Sequence, residues 1–198
     1  MRGFPHHDPV LVSAVVPAFN AAATIDAAIL SIRRQTHIRM EIIIVDDGSA
    51  DRTGEIARSH AAEDDRIRTI EIPNGGVAAA RNAGIRAARA DLIAPIDADD
   101  LRHPDKITRQ LDVMRRGGPS IGYVYSGFNQ IDMEDGVIRG GGLRRPVGAS
   151  IPAVDLREFR WQWQFAADPA RGARADRRLQ FLTAPLSDVS TWWRDLGV

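Results

Sequence analysis

A chain of 198 residues can bury one domain core. Lys and Arg together number 26, as do Asp and Glu, so there is no formal net charge, which argues against a nucleic-acid partner because such proteins need a basic face. The absence of cysteine excludes disulfide frameworks and thiolate metal sites, and no apolar run approaches the roughly 20 residues that span a bilayer. We therefore expect a cytoplasmic protein without a transmembrane segment, and contact with a membrane surface stays open.

Strands and helices are predicted to alternate after an N-terminal extension, residues 1–10. Apolar runs predict strands at 11–16, which Pro17 closes, and at 40–45, 67–72, 91–96 and 121–125, with a hairpin after 128–133. Helical spacing predicts one helix that Thr24 caps, one that Asp51 caps, one over 77–89, and one over 104–116 with Pro104 as its first residue. This alternation is typical of a parallel sheet with right-handed crossovers.

Two of the predicted strands end in acidic residues. Asp46 and Asp47 follow the apolar run 42–45, and Asp97, Asp99 and Asp100 follow the run 92–96. In open α/β sheets ligands bind outside the carboxyl ends of the strands, so both clusters are predicted at one edge. Carboxylates gathered there repel one another and require a cation, most simply a divalent metal ion that carries a phosphate ligand. Each cluster can also be a solvated turn in which an aspartate caps the next helix.

The helix predicted at 77–89 adds further candidates. Gly75 and Gly76 precede it and can let the backbone approach a phosphate at the helix N-terminus, or can be plain loop glycines. Arg81 lies one turn into the helix, where it can pair with an aspartate of the second cluster or with a phosphate, or stay solvated; Asn82 follows it. The chain has no G-x-x-x-x-G-K-[ST] phosphate loop, no G-x-G-x-x-G after a strand and no G-x-S-x-G elbow.

Five segments together resemble the nucleotide-sugar-binding part of family 2 glycosyltransferases, which are inverting enzymes with the GT-A fold. They are V-V-P-A-F-N at 15–20, S-I-R-R-Q-T at 31–36, E-I-I-I-V-D-D-G-S at 41–49 with Asp51, N-G-G at 74–76 with A-R-N-A-G at 80–84, and D-A-D-D at 97–100. The resemblance implies a Rossmann-like α/β fold with a mostly parallel central sheet flanked by helices, in a nucleotide-sugar-binding domain over 11–145.

The resemblance also implies roles for individual residues. Asp46 or Asp47 would bind the base, most often uracil, Asp97 would contact the ribose, and Asp99 would reach a Mg or Mn ion that bridges the diphosphate. The reaction would transfer a sugar with inversion from a nucleotide-diphosphate donor, first of all a UDP-sugar, to a sugar, lipid or protein acceptor. The other residues of the implied nucleotide-sugar site are Pro17, Ala18, Phe19, Asn20, Gly75, Gly76, Arg81, Asn82 and Ala98.

Residues 146–198 depart from the family pattern, so the predicted GT-A fold is incomplete at its C-terminus. An inverting transfer needs a base that deprotonates the acceptor, and the acidic pair Glu134 and Asp135 comes too early for that role, so the catalytic residue is unknown. One interpretation is a truncated, non-catalytic nucleotide-sugar-binding remnant. Another is that this atypical tail is translated out of frame, since reading R-W-Q-W-Q-F at 160–165 one base later gives a G-[NS]-G-[NS] stretch like that of the family; a divergent, poorly ordered tail is the alternative.

Two other α/β families share parts of this pattern. A phospho-acceptor receiver domain has its acidic pair after the first strand and a lysine after the last, whereas here the pair follows the second predicted strand and Lys106 lies at a helix start. A sugar-nucleotide pyrophosphorylase opens with a Gly-rich loop after its first strand, which residues 17–20 do not provide. Both families are therefore disfavoured.

Overall fold

The computed structural model describes residues 10–117, 123–126, 128–131, 137–141 and 180–183. Within these ranges the chain forms eight strands and four helices. The strands are β1 Val12–Ala18, β2 Met40–Asp46, β3 Ile67–Glu71, β4 Leu92–Pro95, β5 Tyr123–Tyr125, β6 Phe128–Ile131, β7 Val137–Gly141 and β8 Gln180–Thr183. The helices are α1 Ile25–Arg33, α2 Thr53–Glu63, α3 Val77–Ala87 and α4 Lys106–Gly117.

Six of the described strands form one sheet in the order β3-β2-β1-β4-β8-β5, with every neighbouring pair parallel. The other two described strands, β6 and β7, form an antiparallel hairpin. Because the strands of the sheet are parallel, their carboxyl ends lie along one edge, here named the carboxyl edge. The predicted α/β class, parallel central sheet and hairpin are confirmed. Among the described helices, none has the length and apolar character needed to cross a membrane.

Successive side chains of a strand point to opposite faces of the sheet, and different helices cover the two faces. Ala14 and Ile44 lie in a core shared with α1, α2 and α4, whereas Val15 and Ile43 pack in a second core with α3. Every residue of β1 and β2 is buried. Strands covered on both faces are apolar without interruption, which explains the continuous runs in the sequence.

Pro17 does not close β1, contrary to the prediction. It pairs with Val45, and the strand continues to Ala18. The amide of Ile96 donates to Val15 O at 3.0 Å, so the polar backbone atoms of Val15 face β4. Pro17, two residues further on, faces the same side, but β4 ends at a position level with Val15. The N–H that proline lacks is therefore not needed for a ladder at this point.

The predicted helix starts are correct for α1 and α3, one residue out for the N-cap of α2, and wrong for α4. Thr24 stands at the N-cap of α1, although its side chain makes no capping hydrogen bond. Helix α2 begins at Thr53 with Arg52 rather than Asp51 at its N-cap, although Asp51 accepts a hydrogen bond from the Thr53 amide at 3.0 Å. Helix α4 begins at Lys106 rather than at Pro104, because the residues before it form a hydrogen-bonded turn, and α3 ends two residues earlier than predicted.

One described strand lies in the tail, where the sequence predicted none. β8 enters the sheet between β4 and β5, and it pairs with β4 only through Gln180 with Leu92 and Phe181 with Ile93. A strand of 4 residues is too short for its periodicity to identify it. Most of the tail, residues 132–136 with the acidic pair Glu134 and Asp135, and residues 1–9 lie outside the described residues. The out-of-frame hypothesis therefore stays a prediction.

Candidate donor site at the carboxyl edge

The loops that follow β1 and β2 are joined by hydrogen bonds between side chains and backbone. The amides of Asn20 and Ala21 donate to Ser49 Oγ at 2.9 Å and to Thr53 Oγ1 at 2.7 Å. In the opposite direction, the amide of Ala50 donates to Asn20 Oδ1 at 2.9 Å. Asn20 has a positive φ of 47°, a conformation that asparagine tolerates better than most residues. The side chain of this predicted site residue thus holds the two loops together.

Asp46, the last residue of β2, is tied into the start of α2. Its side chain accepts a hydrogen bond from the Ser49 amide at 3.0 Å, and the residue is 7% exposed. A Cβ on Gly54 would lie only 2.6 Å from Asp46 Oδ2, so a larger residue in this first helical turn would collide with the carboxylate. Asp51, which precedes the N-cap Arg52, accepts hydrogen bonds from the Thr53 amide and from the Ala22 amide, both at 3.0 Å, so it joins the start of α2 to the loop after β1.

Asp47 fastens the loop that precedes α3. Its Oδ1 accepts a hydrogen bond from the Gly75 amide at 2.9 Å and its Oδ2 accepts one from the Gly76 amide at 2.8 Å. Asp47 is 2% exposed, and its own amide donates to Ala18 O at 2.9 Å. Gly76 has a φ of 84°, which favours glycine. A phosphate at these two amides would therefore compete with Asp47, a relation that the sequence did not reveal.

The second acidic cluster forms a loop directly after β4. The amide of Asp100 donates to Asp97 O at 3.1 Å, which closes a turn around buried Ala98 and leaves Asp99 exposed. Burial of its carboxyl group, together with the charges of Asp97 and Asp99, raises the pKa of Asp100 to about 6 against the opposing charges of Arg102 and Lys106, although the residue as a whole is exposed. Across the described residues, no three His, Cys, Asp or Glu side chains are arranged to hold a metal ion by themselves.

Arg81 joins α3 to this acidic loop. Its Nη2 donates a hydrogen bond to Asp97 Oδ1, and the Arg81 side chain is only 4% exposed whereas that of Asp97 is 33% exposed. Burial lowers the pKa of Arg81, an effect that the charges of Asp97 and Asp100 oppose. The sequence analysis left open whether Arg81 pairs with an aspartate of the second cluster, binds a phosphate or stays solvated. In the structure it pairs with an aspartate of that cluster, Asp97. Asp97 is therefore held in a fixed position beside an exposed Asp99.

Two further cations lie behind the acidic loop. Arg102 is 8% exposed, and burial lowers its pKa to about 10 against the charges of Asp100 and Asp97. Lys106 is half-buried at the start of α4, and burial together with the charge of Arg102 lowers its pKa to about 7 despite Asp100. The sequence interpretation placed Lys106 only as a residue at a helix start and missed Arg102, since nothing local in the sequence indicates that either side chain turns towards the acidic loop.

The S-I-R-R-Q-T segment positions the chain that follows this loop. Ser31 Oγ accepts a hydrogen bond from the Arg102 amide at 3.1 Å. Gln35 Nε2 donates to His103 O at 2.9 Å, and Gln35 Oε1 accepts from the Ile107 amide at 3.2 Å. Gln35 is 4% exposed, so it acts as a buried cap for α4 from another element. In the sequence, the indication of this role is that Gln35, a polar residue, stands three residues after Ile32, where the apolar face of α1 would continue.

The remaining predicted residues differ in how accessible they are. Pro17 and Ala18 are buried in β1, whereas the Phe19 side chain is 51% exposed at the carboxyl edge. Asn82 is half-buried on α3 beside Arg81. In this part of the site, Phe19 is thus the residue that offers an aromatic surface to a ligand.

Among curated proteins, the chain is 50% identical over 90 residues to the uncharacterized glycosyltransferase EpsJ of Bacillus subtilis, a match that covers 46% of this chain and 26% of that protein. It is 36% identical over 131 residues to a chondroitin synthase of Escherichia coli, covering 66% of this chain and 19% of that protein. The chain therefore spans only about a quarter and a fifth of the length of these two relatives.

Solved structures show the same fold. The mannosyltransferase PcManGT of Pyrobaculum calidifontis, solved in complex with GDP-Man and Mn2+, superposes with a TM-score of 0.53 at 25% identity over 60% of this chain and 35% of that chain. TarS of S. aureus superposes with a TM-score of 0.54 at 20% identity over 59% of this chain and 21% of that chain. The family model described as glycosyl transferase family 2 matches residues 13–145, well over half of the sequence. Together with the GT-A-like sheet and its carboxyl-edge loops, this match shows that the chain belongs to glycosyl transferase family 2.

Proposed function

We propose that this chain binds a nucleotide-diphosphate sugar at the carboxyl edge and transfers the sugar to an acceptor with inversion. The observation that carries the proposal is the loop after β4, in which Asp99 is exposed while Arg81 holds Asp97 in place. Ligands of open α/β sheets bind at this edge. The loop thus offers one carboxylate fixed for a ribose and one free for a metal ion.

The residues present fit a divalent metal ion that arrives with its ligand. Mg or Mn prefers oxygen donors and is commonly held by one or two carboxylates together with substrate phosphates and water. Exposed Asp99 supplies one such carboxylate, and the diphosphate would supply the other oxygens. A metal bound there would stabilise the negative charge that develops on the leaving diphosphate. PcManGT, which was solved with GDP-Man and Mn2+, is consistent with this metal chemistry.

The nucleoside is proposed to lie between Phe19 and the loops after β2 and β3. Both oxygens of Asp47 already accept glycine amides and the residue is 2% exposed, but a carboxylate oxygen can accept a second hydrogen bond, so a base N–H that reaches this buried side chain can bind without displacing the amides. Asp46 is the alternative acceptor. We propose uracil as the first base to test and guanine as the second, because PcManGT binds GDP-Man.

Inversion requires a base that removes the proton from the acceptor hydroxyl as it attacks the anomeric carbon. We assign no residue to this step, and the acceptor is a sugar, a lipid or a protein. The residues described above act on the donor: Asp97 orients it, Asp99 faces its diphosphate and Arg81 fixes Asp97. Donor binding without transfer would correspond to the non-catalytic alternative.

Calorimetry with UDP and with GDP, each with and without MnCl2, tests this proposal. We expect metal-dependent binding of one nucleotide, and we expect Asp99→Asn to weaken it at least tenfold because the metal loses its carboxylate ligand. Asp65→Asn is the matched control, since Asp65 is an exposed aspartate outside the carboxyl-edge loops. Equal affinity in Asp99→Asn and wild type, or binding that does not depend on metal, would refute the role of Asp99. Release of sugar from the corresponding donors then distinguishes an enzyme from a binding protein.

A further inference from the structure

Arg102 connects the two ends of the acidic loop. Its guanidinium Nη2 donates a hydrogen bond to the carbonyl oxygen of Pro95, the last residue of β4, on the near side of the loop. On the far side, the Arg102 amide donates to Ser31 Oγ of α1 at 3.1 Å. One residue therefore fastens the chain leaving the loop both to the strand that enters it and to a neighbouring helix.

The positive charge of Arg102 is opposite in sign to the carboxylates of this loop. The charges of Asp100 and Asp97 both act on its guanidinium, and Lys106 and Arg81 add their charges from α4 and α3. The carboxylates at 97, 99 and 100 are thus accompanied by two arginines and by Lys106, which carries its charge below its pKa of about 7. Because carboxylates this close repel one another, a buried counter-cation keeps the loop compact when no ligand is bound.

Packing alone does not explain an arginine at this position. Arg102 is 8% exposed, and its Nη1 has no hydrogen-bond partner among the described residues. A buried donor without a partner is unfavourable, and an apolar side chain of similar length would avoid it. The charge and the bond to Pro95 O are therefore the contributions that distinguish arginine from methionine here.

We propose that Arg102 is a positioning residue of the donor site, which holds the acidic loop in the shape that presents Asp97 and Asp99 before any ligand binds. The effect on nucleotide binding rests on the proposed function, whereas the effect on the ligand-free loop does not. Arg102 acts through the loop and touches no reacting atom.

Three variants test this proposal in the whole chain. Arg102→Met removes the charge and the donor, Arg102→Lys keeps the charge but loses the guanidinium fork, and Arg115→Met removes an exposed arginine at the far end of α4. The first measurement is hydrogen exchange of the ligand-free protein at the amides of Ile96, Asp100 and Arg102, each of which donates a hydrogen bond. We expect exchange at least tenfold faster in Arg102→Met, a smaller increase in Arg102→Lys, and no change in Arg115→Met, with the amides of β1 unchanged throughout.

The second measurement is the Kd for UDP or GDP with MnCl2. We expect Arg102→Met to raise it at least tenfold and Arg102→Lys to restore part of the loss, with Arg115→Met like wild type. Loop exchange in Arg102→Met equal to wild type would overturn the proposal, as would an equal acceleration in β1, which would show a general loss of stability. If Arg102→Met does not fold, Arg102→Lys decides by the same comparison of loop and β1. If wild type binds neither nucleotide, the proposed function fails while the exchange result still decides the role of Arg102.

Discussion

Replacing Asp47 by asparagine should destabilise the protein much more than the same change at Asp46. Asp47 is 2% exposed and accepts two amide hydrogen bonds, from Gly75 and from Gly76, one at each carboxylate oxygen. Asparagine has one oxygen, so its NH2 group would face one of these N–H donors. Within the described part of the chain, Asp46 accepts one amide hydrogen bond, from Ser49, which asparagine can keep.

The expected magnitude follows from these contacts. Asp47→Asn loses one hydrogen bond to a charged group, about 1.5–3 kcal/mol, weakens the other, and leaves a buried N–H without a partner, so we expect a loss of about 3 kcal/mol. At the 2–4 °C per kcal/mol typical of a chain of this size, the melting temperature should fall by about 6–12 °C. Asp46→Asn loses only the charge on one retained bond and should cost about 1 kcal/mol.

Thermal unfolding followed by circular dichroism, with urea unfolding at neutral pH as a second measurement, distinguishes these values. Asp65→Asn serves as the control, because this exposed aspartate should change stability by no more than about 0.5 kcal/mol. If Asp47→Asn melts within 2 °C of Asp46→Asn, with a difference of less than about 1 kcal/mol, the carboxylate does not hold the glycine loop and the reasoning is wrong.

Three further predictions concern other parts of the structure. Gly84→Ala should destabilise by about 1–3 kcal/mol in urea, because its Cβ would overlap the Val15 side chain under α3. Lys106, the only lysine, should react with an amine reagent at a rate that rises with pH and is half-maximal near pH 7, measured on its peptide by mass spectrometry, because burial lowers its pKa to about 7; a midpoint near pH 10 would contradict this. Burial raises the pKa of Glu41, but hydrogen bonds, first from Ser13, lower it overall, so its stabilising effect is present above about pH 4.5 and is lost as pH falls through its folded pKa; Glu41→Gln should therefore destabilise more in urea at pH 7 than at pH 3.

The sheet and its functional edge could be predicted because their signals are local. Continuous apolar runs identify strands that are covered on both faces, and the acidic residues that end β2 and follow β4 lie next to those runs in the sequence. The parallel topology then follows from alternation with helices, and it brings residues 46 and 97 to one edge although they are far apart in the chain. The sequence thus predicted that the two acidic clusters lie at one edge of a parallel sheet, and the topology confirms that placement.

The partners of the site residues could not be predicted in the same way. Asp47 accepts hydrogen bonds from amides 28 and 29 residues away. Since nearly every residue has a backbone N–H, the residue types do not indicate which amide will bind a given carboxylate. Arg102 and Gln35 act on the acidic loop and on α4 through contacts that depend on how α1 packs beside them. β8 was missed for another reason, since it is short and joins the sheet far along the chain from its neighbour β4.

The repulsion between neighbouring carboxylates is offset by different groups in the two acidic clusters. After β2, Asp46 and Asp47 face backbone amides, which are fixed dipoles of the fold and stay in place whether or not a ligand is bound. After β4, the carboxylates at 97 and 100 face side-chain cations, while Asp99 is exposed. The chain's own arginines and lysine therefore provide the positive charge that the sequence alone assigned to a metal ion. The metal ion proposed at Asp99 would then depend largely on the negative charge of the diphosphate that accompanies it, because the cations of the chain already offset much of the charge of the loop.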